Sequence, residues 1–282
     1  MFHPGEQRAQ QLAGFSQVRA AIYDQMPQQH QLFFAQLPYL LLAQRDDHGW
    51  PWAHLLMAQP GFVQPLDEHH LAINARALQR AALLQPLVEG DALAILGIDF
   101  ATRRRNRANG QVAAIGPEHL VMRVNESFGN CPQYIHQYPW HVPVVQRVEV
   151  EQDTTLNPAD RQLLHRSQTF FIASGAPSGS MDISHRGGPA GFLRCHPSGA
   201  LSFDDFPGNR YMNTLGNLLL DARCALLIPD WHQGSALHLQ GEMTIDWTAH
   251  NDEGKGIRRL WFTPQRVMRL GAGACWQTDA AA

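Results

Sequence analysis

The sequence predicts a mainly β fold with flanking helices, in which one small antiparallel barrel occurs twice in tandem. The first observation is repetition at an offset of 130 residues, since segment 60–63 (Pro-Gly-Phe-Val) is matched by segment 190–193 (Ala-Gly-Phe-Leu). Segments 71–74 and 201–204 match at the same offset. The second observation is that short apolar runs separated by turn residues fill both halves, as in small β-barrels. A repeat of this length is too long for a solenoid and indicates a duplicated domain.

The first half begins with a helical pattern and continues with strands. Residues 5–36 are rich in helix formers with apolar side chains at three-to-four spacing, and Pro27 is expected to divide them into two helices. Segments 38–43 and 52–57, on either side of the turn-like segment 45–49, have the pattern of a β-hairpin. Further strands are expected at 70–73, 92–98 and 111–115, with a helix at 78–87.

The second half follows a bridge marked by prolines. Residues 144–150 alternate like a strand. Asn157 is the expected N-cap of the next helix, with Pro158 at its first position. The second copy begins at segment 169–173. Further strands are expected at 191–195, 200–203, 224–228 and 236–243, with a helix at 212–221.

Length and composition bound the architecture and the class of partner. The 282 residues suffice for two domains of ordinary size. We divide them into an N-terminal helical segment (1–36), a first barrel copy with its connecting segment (37–150) and a second barrel copy (151–282). With 17% charged residues and a formal net charge of −3, nonspecific binding to nucleic acid or membranes is not expected.

Targeting and metal-binding patterns are not found in the sequence. No segment approaches the ~18 uninterrupted apolar residues of a membrane helix, and no signal-peptide pattern opens the chain. A cytoplasmic location is therefore expected. The four cysteines form no CxxC pair, and the fifteen histidines lack HExxH or Cys/His spacing. The sequence therefore predicts neither a disulfide framework nor a metal site.

The first candidate binding segment is 182–189, Asp-Ile-Ser-His-Arg-Gly-Gly-Pro. It combines a carboxylate, a hydroxyl, an imidazole and a guanidinium beside two glycines. A glycine pair lets a ligand approach the backbone closely, and an arginine can hold a phosphate with two hydrogen bonds. A solvated turn between two strands explains the same residues equally well.

The second candidate segment is 205–210, Asp-Phe-Pro-Gly-Asn-Arg, which lies between a predicted strand and a predicted helix. Free backbone N–H groups and the helix dipole favour an anion at such a position. Asn209, Arg210 and Thr214 are therefore candidate phosphate ligands. The alternative is a capped helix whose arginine is only exposed. Neither candidate segment is a P-loop, and no GxGxxG motif indicates a Rossmann site.

A family resemblance adds to these observations. Segment 127–135, Ser-Phe-Gly-Asn-Cys-Pro-Gln-Tyr-Ile, resembles the FGNCPxYI signature of the FMN-binding split-barrel proteins related to pyridoxamine 5′-phosphate oxidase. Other motifs of that family are matched by segments 101–110, 182–188, 208–209 and 215–217. The resemblance covers nearly the whole chain. It implies tandem split β-barrels of the FMN-binding type, with FMN held at an interface between two barrels.

The resemblance also implies roles for individual residues. In the family a basic pair grips the FMN phosphate; Arg210 matches its first member, and Tyr211 replaces the lysine that follows. Arg105 falls on a strand whose counterpart touches the flavin, although a solvated strand face would also explain the basic cluster 103–107. The expected cofactor-binding residues are Ser184, His185, Arg186, Gly187, Asp205, Asn209, Arg210, Thr214, Asn217, Arg105 and Asn130.

The two copies are not equivalent in these motifs. The first copy lacks both Ser-His-Arg-Gly-Gly and Gly-Asn-Arg, so one FMN per chain is expected, with its phosphate held mainly by the second copy. The family's substrate-phosphate residue falls near Arg194, and its C-terminal substrate-binding segment has no recognisable equivalent, although Trp261 and Arg269 lie in that region. Pyridoxamine phosphate is therefore not the expected substrate.

His185 is the candidate catalytic residue, because an imidazole titrates near neutral pH; a hydrogen bond to flavin or backbone is the alternative. Cys131 has no resolving cysteine nearby and is interpreted as structural rather than catalytic. We expect an FMN-dependent oxidoreductase that acts on a small molecule with NAD(P)H or another external reductant, and a homodimer is possible. A flavin carrier or sensor without turnover and a cofactor-free descendant are the alternatives.

Overall fold

The computed structural model describes residues 2–129, 132–137, 148–251 and 254–277. Its helices are α1 (Pro4–Leu12), α2 (Gln28–Gln36), α3 (Ala75–Gln79), α4 (Pro158–Arg166) and α5 (Asn213–Leu220). The strands of the first half are β1 (Tyr39–Arg45), β2 (Pro51–Met57), β3 (Val63–Pro65), β4 (His70–Asn74), β5 (Ala92–Asp99), β6 (Arg104–Ile115) and β7 (His119–Gly129). Those of the second half are β8 (Val150–Asp153), β9 (Thr169–Gly175), β10 (Met181–Gly187), β11 (Arg194–Cys195), β12 (Leu201–Asp204), β13 (Arg223–Asp230), β14 (Ser235–Asp246) and β15 (Arg259–Leu270).

The strands form two antiparallel sheets with the same topology. The first has the order β2-β1-β5-β6-β7-β4-β3, and the second has the order β10-β9-β13-β14-β15-β12-β11. Each strand of the second order is the strand eight places later in the chain, and β8 pairs separately with β15. The repetition in the sequence is therefore a repetition of topology. The predicted fold class, mainly β with flanking helices in tandem split barrels, is confirmed.

The two halves pack through a reciprocal interface. Strand β10 packs on β5 and β1 of the first half, and β2 packs in the same way on β13 and β9 of the second. Reciprocal contacts of this kind define a two-fold interface, which here lies within one chain. Buried apolar side chains such as Leu41, Leu96 and Phe171 form its core. Each contributes about 1.5–3 kcal/mol of hydrophobic stabilisation.

Several predicted elements are confirmed, among them the hairpin of β1 and β2 and the helix α5. Asn157 caps α4 as expected, because its side chain accepts a hydrogen bond from the backbone N–H of Asp160 (2.9 Å), and Pro158 is the first helical residue. Of the strand predicted at 144–150, residues 144–147 lie outside the described residues. The observed strand β8 begins at Val150.

Two helix predictions were wrong in extent. Residues 13–27 are not helical: Gly14 adopts a positive φ of 78°, and Tyr23 forms a β-bridge with Ser127. The helix predicted at 78–87 is replaced by the short α3, which ends at Gln79. Pro86 disfavours helical backbone at the residue before it, and Leu83 is buried in a small apolar cluster. Tertiary packing therefore overrides the local helical pattern.

Helix α1 crosses α5 at a pair of glycines. A Cβ atom on Gly5 would overlap the carbonyl oxygen of Gly216, and one on Gly216 would lie 2.5 Å from the backbone nitrogen of Glu6. Only glycine allows this approach, so α1 lies directly against the first turns of α5.

No helix of the described ranges is long and apolar enough to cross a membrane.

Candidate functional site

One cleft brings together both binding segments that the sequence predicts. It has a volume of about 340 Å³, which is within the range of ~300–1,000 Å³ typical of small-molecule sites. Its walls are β6 from the first half and β10, the loop 205–212 and the start of α5 from the second. The predicted cofactor-binding residues that line it are Arg105, Ser184, His185, Arg186, Asp205, Asn209, Arg210 and Thr214. We call it the arginine cleft.

The remaining predicted residues lie elsewhere. Gly187 lines a smaller adjoining pocket that shares Arg105 and His185 with the arginine cleft. Asn217 is directed towards α1 instead of the cleft: it accepts a hydrogen bond from His3 (3.0 Å) and donates one to Ser174 (3.1 Å). It lies one turn beyond Asn213 on α5, away from the loop that forms the cleft. Asn130 and Cys131 lie outside the described residues.

Two arginines of β6 reach across the interface to β10. Arg105 and Arg107 are two residues apart on one strand, so their side chains share a face. Arg105 Nη1 donates to Nδ1 of His185 at 3.0 Å. Arg107 Nη1 pairs with Asp182 at 2.5 Å, and its Nη2 donates to the hydroxyl of Ser184 at 2.9 Å. The first half therefore supplies part of the site of the second.

A buried hydrogen-bond network forms the floor of the cleft. Ser184 donates to Asp182 (3.0 Å) and accepts from Thr214 (2.8 Å) as well as from Arg107. All four side chains are buried. Because its one hydroxyl hydrogen is used, Ser184 has no donor left for a ligand. The network is satisfied except at Nε of Arg107, which has no hydrogen-bond partner among the described residues.

His185 is a neutral imidazole with a fixed tautomer. Burial, together with the charges of Arg105 and Arg186, lowers the pKa of His185 well below its usual value of 6.5. Because a guanidinium is only a donor, Nδ1 accepts from Arg105 and the ring proton resides on Nε2. Among the residues that the structure describes, Nε2 has no hydrogen-bond partner. His185 thus offers the cleft one N–H donor, and at neutral pH it is not the imidazolium acid that the sequence suggested.

The loop 205–212 leads into α5, and the N-terminus of this helix lines the cleft. Arg210 and Met212 adopt positive φ angles of 67° and 63°. Left-handed backbone at non-glycine residues costs of order 1–3 kcal/mol each and is found at ligand clamps. Met212 is the N-cap of α5, and no side chain in the described ranges caps this helix start. Its first N–H groups and its dipole therefore favour an anion.

The charged side chains of the cleft also favour an anion. Five guanidinium groups line it, namely those of Arg105, Arg107, Arg186, Arg210 and Arg258. Asp205 lies between two of them, 2.9 Å from Nε of Arg258 and 3.7 Å from Nη2 of Arg186. With Asp182, which pairs with Arg107, two carboxylates oppose five cations and leave an excess of three positive charges. A ligand with two negative charges, such as a phosphate monoester, suits this balance.

Sequence reasoning missed several residues of the cleft. Arg107 could have been found, because it lies two residues beyond Arg105 on the same strand. Arg258 had no such signal: it reaches the cleft only because β12 and β15 pair, which places it beside Asp205. Phe15 comes from the segment predicted as helix, and the Arg210 guanidinium lies 5.1 Å from its ring centroid.

The residues loosely matched to the family's substrate site do not line the cleft. Arg194 forms an ion pair with Asp204 at 2.8 Å on β11 and β12. Trp261 packs near the ring of His196, with ring centroids 4.7 Å apart. Arg269 pairs with Asp160 at 2.7 Å. None of the three is positioned to contact a ligand in the arginine cleft.

Helix α1 is coupled to the cleft through a buried carboxyl group. Glu6 accepts hydrogen bonds from the Asn213 side chain (2.5 Å) and from the backbone N–H of His3 (2.8 Å). Asn213 in turn accepts from Arg107 at 3.4 Å. Burial raises the pKa of Glu6 to about 7. The docked helix therefore favours a protonated Glu6.

We expect the free energy of unfolding to fall as the pH rises through about 7. The pKa of Glu6 is raised from 4.5, so its contribution is complete below pH 4.5 and is lost as the folded protein gives up the proton. The loss is up to about 3 kcal/mol. Urea unfolding at several pH values measures it, with Glu6→Gln as the comparison. Equal pH dependence in both proteins would show that Glu6 does not carry the effect.

Comparisons with known proteins found solved structures that are similar to part of this chain. No protein-family model matches the chain, and no curated protein does. HupZ of Group A Streptococcus is similar with a TM-score of 0.33 and 10% identity, over 40% of this chain and 92% of that chain. A FAD-binding protein of Mesorhizobium loti is similar with a TM-score of 0.30 and 11% identity, over 44% of this chain and 99% of that chain.

A third solved structure is a Clostridium acetobutylicum protein related to general stress protein 26 of B. subtilis, of the pyridoxinephosphate oxidase family. Its TM-score is 0.27 and its identity 14%, over 38% of this chain and 81% of that chain. Each of the three matches covers less than half of this chain.

Proposed function

We propose that the arginine cleft binds FMN and that the protein is an FMN-dependent oxidoreductase acting on a small molecule, with NAD(P)H or another external reductant. One observation carries the proposal: an uncapped helix start and five arginines, drawn from both halves of the chain, line one cleft of suitable size. The resemblance of segments 127–135 and 182–188 to FMN-binding split-barrel proteins supports the same assignment.

The phosphate of FMN fits the loop end of the cleft. Backbone N–H groups at the start of α5 would donate to its oxygens, and the Arg210 guanidinium would neutralise charge from the loop. Arg186 and Arg258 bracket Asp205, which holds their planar groups in place. Nε of Arg186 is buried without a hydrogen-bond partner among the described residues, as expected for a donor reserved for a ligand.

The ring system of the flavin fits the opposite end, where the two halves meet. There His185 would donate its Nε2–H to a polar edge of the ring, and Arg105 holds that imidazole in the donating tautomer. The side chains of the network around Ser184 are buried, so they would exclude water from the cleft floor. The bound flavin would supply the hydride or electron transfer itself, while the chain binds, orients and shields it.

The proposal requires one chain only. Arg105 and Arg107 come from the first half and the phosphate loop from the second, so the internal two-fold interface already assembles both walls. A flavin carrier would use the same contacts. An oxidoreductase and a flavin carrier therefore differ in whether the bound flavin is reduced and reoxidised in turnover.

Reduction of the reconstituted protein tests the proposal. The purified protein is mixed with FMN, freed of excess ligand and titrated anaerobically with NADH and NADPH while the flavin absorbance is followed. Bleaching faster than that of free FMN, and recovery in air, is the expected result. Retention of FMN without bleaching by either nucleotide or by dithionite-reduced mediators would favour a carrier. Failure to retain FMN would overturn the proposal.

A further inference from the structure

The N-terminal segment 2–23 precedes both sheets and is fixed at each end. Near its start, α1 packs on α5 at the glycine pair described above. At its end, Tyr23 exchanges two backbone hydrogen bonds with Ser127 of β7, at 3.0 and 2.8 Å. Between these two points the segment contacts the loop 205–212. The segment therefore joins the second half to the first beside the proposed phosphate site.

Tyr211 is the residue of the loop that contacts this segment most closely. Every other residue of the loop lines the arginine cleft, whereas Tyr211 does not. It is buried, with 8% of its surface exposed. Its hydroxyl oxygen accepts a hydrogen bond from the backbone N–H of Ala21 (3.0 Å), and its carbonyl oxygen accepts one from Nε2 of Gln10 (3.1 Å). Tyr211 therefore ties the loop to the segment through two polar contacts.

The ring of Tyr211 contacts two phenylalanines. Its centroid lies 5.7 Å from that of Phe2 in the segment and 5.8 Å from that of Phe128 in β7. Phe128 is fully buried, and the guanidinium of Arg107 lies 5.2 Å from the centroid of its ring. Since Arg107 belongs to the network of the cleft floor, one side chain links the segment, the first half and that floor to the loop.

The backbone on both sides of Tyr211 requires support of this kind. Arg210 and Met212 adopt left-handed φ angles, which non-glycine residues keep only where the surrounding structure holds them. Met212 is also the N-cap of α5, and none of the described side chains caps it. The N–H groups at this helix start therefore face an anion only while the loop keeps its conformation. The contacts of Tyr211 oppose its relaxation.

We infer that Tyr211 is a positioning residue of the phosphate site, and that the N-terminal segment is the support to which it fixes the loop. Tyr211 acts through Arg210 and the helix start on either side of it, without contact to the ligand. The inference rests on the proposed function and adds a determinant of selectivity. Because the loop meets the phosphate end of the ligand, its support should matter for FMN and not for riboflavin.

Two substitutions in the full chain test this inference by calorimetric titration with FMN and with riboflavin. Tyr211→Phe keeps both ring contacts and removes the acceptor of the Ala21 N–H, so we expect about fivefold weaker binding of FMN. Tyr211→Lys places a cation beside Arg210 but removes the ring and the hydroxyl. We expect it to bind FMN at least roughly tenfold more weakly in spite of the added charge. Riboflavin affinity should stay within about twofold in both variants.

Tyr39→Phe is the matched control. Tyr39 is also buried, and its hydroxyl accepts from the backbone N–H of Phe100 at 3.2 Å, but it lies in β1 and does not line the cleft. The variant loses the same kind of hydrogen bond and should leave both flavin affinities unchanged. Hydrogen–deuterium exchange of the unliganded proteins is the second readout. Amides of segment 208–214 should exchange about fivefold faster in Tyr211→Phe and at the unsubstituted rate in Tyr39→Phe.

Tighter binding of FMN by Tyr211→Lys would overturn the inference, because the position would then act through charge. FMN affinity and exchange rates of Tyr211→Phe that match the unsubstituted protein would also overturn it, as would an equal loss of riboflavin affinity. If Tyr211→Lys fails to fold, Tyr211→Phe still decides. An unsubstituted protein that binds neither flavin would contradict the proposed function, and the exchange rates would still show whether Tyr211 holds the loop.

Discussion

Replacing Asp182 with alanine is expected to lower the free energy of unfolding by about 3–5 kcal/mol. The carboxylate pairs with Arg107 at 2.5 Å, and the two side chains are 3% and 6% exposed. Without Asp182 a buried guanidinium would lack its counter-charge, and Ser184 would lose the acceptor of its hydroxyl hydrogen. Urea unfolding followed by circular dichroism measures the change.

Glu151→Ala is the matched control for this prediction. Glu151 pairs with Arg269 at a similar distance of 2.9 Å, but its side chain is 72% exposed. An exposed pair contributes about 0–1 kcal/mol, so this variant should be nearly neutral. The double variant Asp182→Ala with Arg107→Leu should recover part of the loss, because it removes the unpaired charge as well. Equal costs for Asp182→Ala and Glu151→Ala would contradict a stabilising ion pair beneath the cleft.

The second large effect concerns ligand affinity. Arg186→Gln and Arg258→Gln are each expected to weaken FMN binding by roughly tenfold to hundredfold, because each removes a charged donor worth about 1.5–3 kcal/mol. Both side chains lie beside Asp205 in the cleft. Fluorescence titration of FMN at constant ionic strength measures the dissociation constants, since salt screens these contacts.

Arg194→Gln is the control here, because Arg194 pairs with Asp204 outside the cleft. It removes the same charge from the same half of the protein and should leave the FMN dissociation constant within about twofold. A loss of affinity in Arg194→Gln as large as in Arg186→Gln would mean that net charge, and not the geometry of the cleft, controls binding.

The fold was largely predictable because its signal is repeated. The apolar runs of the β1–β2 hairpin indicate strands, and the matching segments 71–74 and 201–204 indicate the duplicated topology. Strands β7 and β15 were not predicted. Both carry charged residues on their exposed face, such as Arg123 in β7 and Arg266 in β15, so their apolar runs are short. Their place in the sheets is set by pairing with β6 and β14, which a local pattern does not encode.

The site was predictable where several of its residues lie close together in one segment of the sequence. The loop before α5 and the segment 182–188 are each recognisable by composition, and both line the same cleft. The tautomer of His185 was not predictable, because it depends on Arg105 of the other half. Asn217 was assigned to the cofactor from its motif, but its orientation depends on the crossing of α1 over α5.

The most direct test of the account compares FMN with riboflavin, which lacks the phosphate, in calorimetric titrations of the full chain. If the loop 205–212 and its arginines hold a phosphate, one FMN should bind per chain, at least roughly hundredfold more tightly than riboflavin. Equal affinities for the two flavins, or no binding of either, would contradict it.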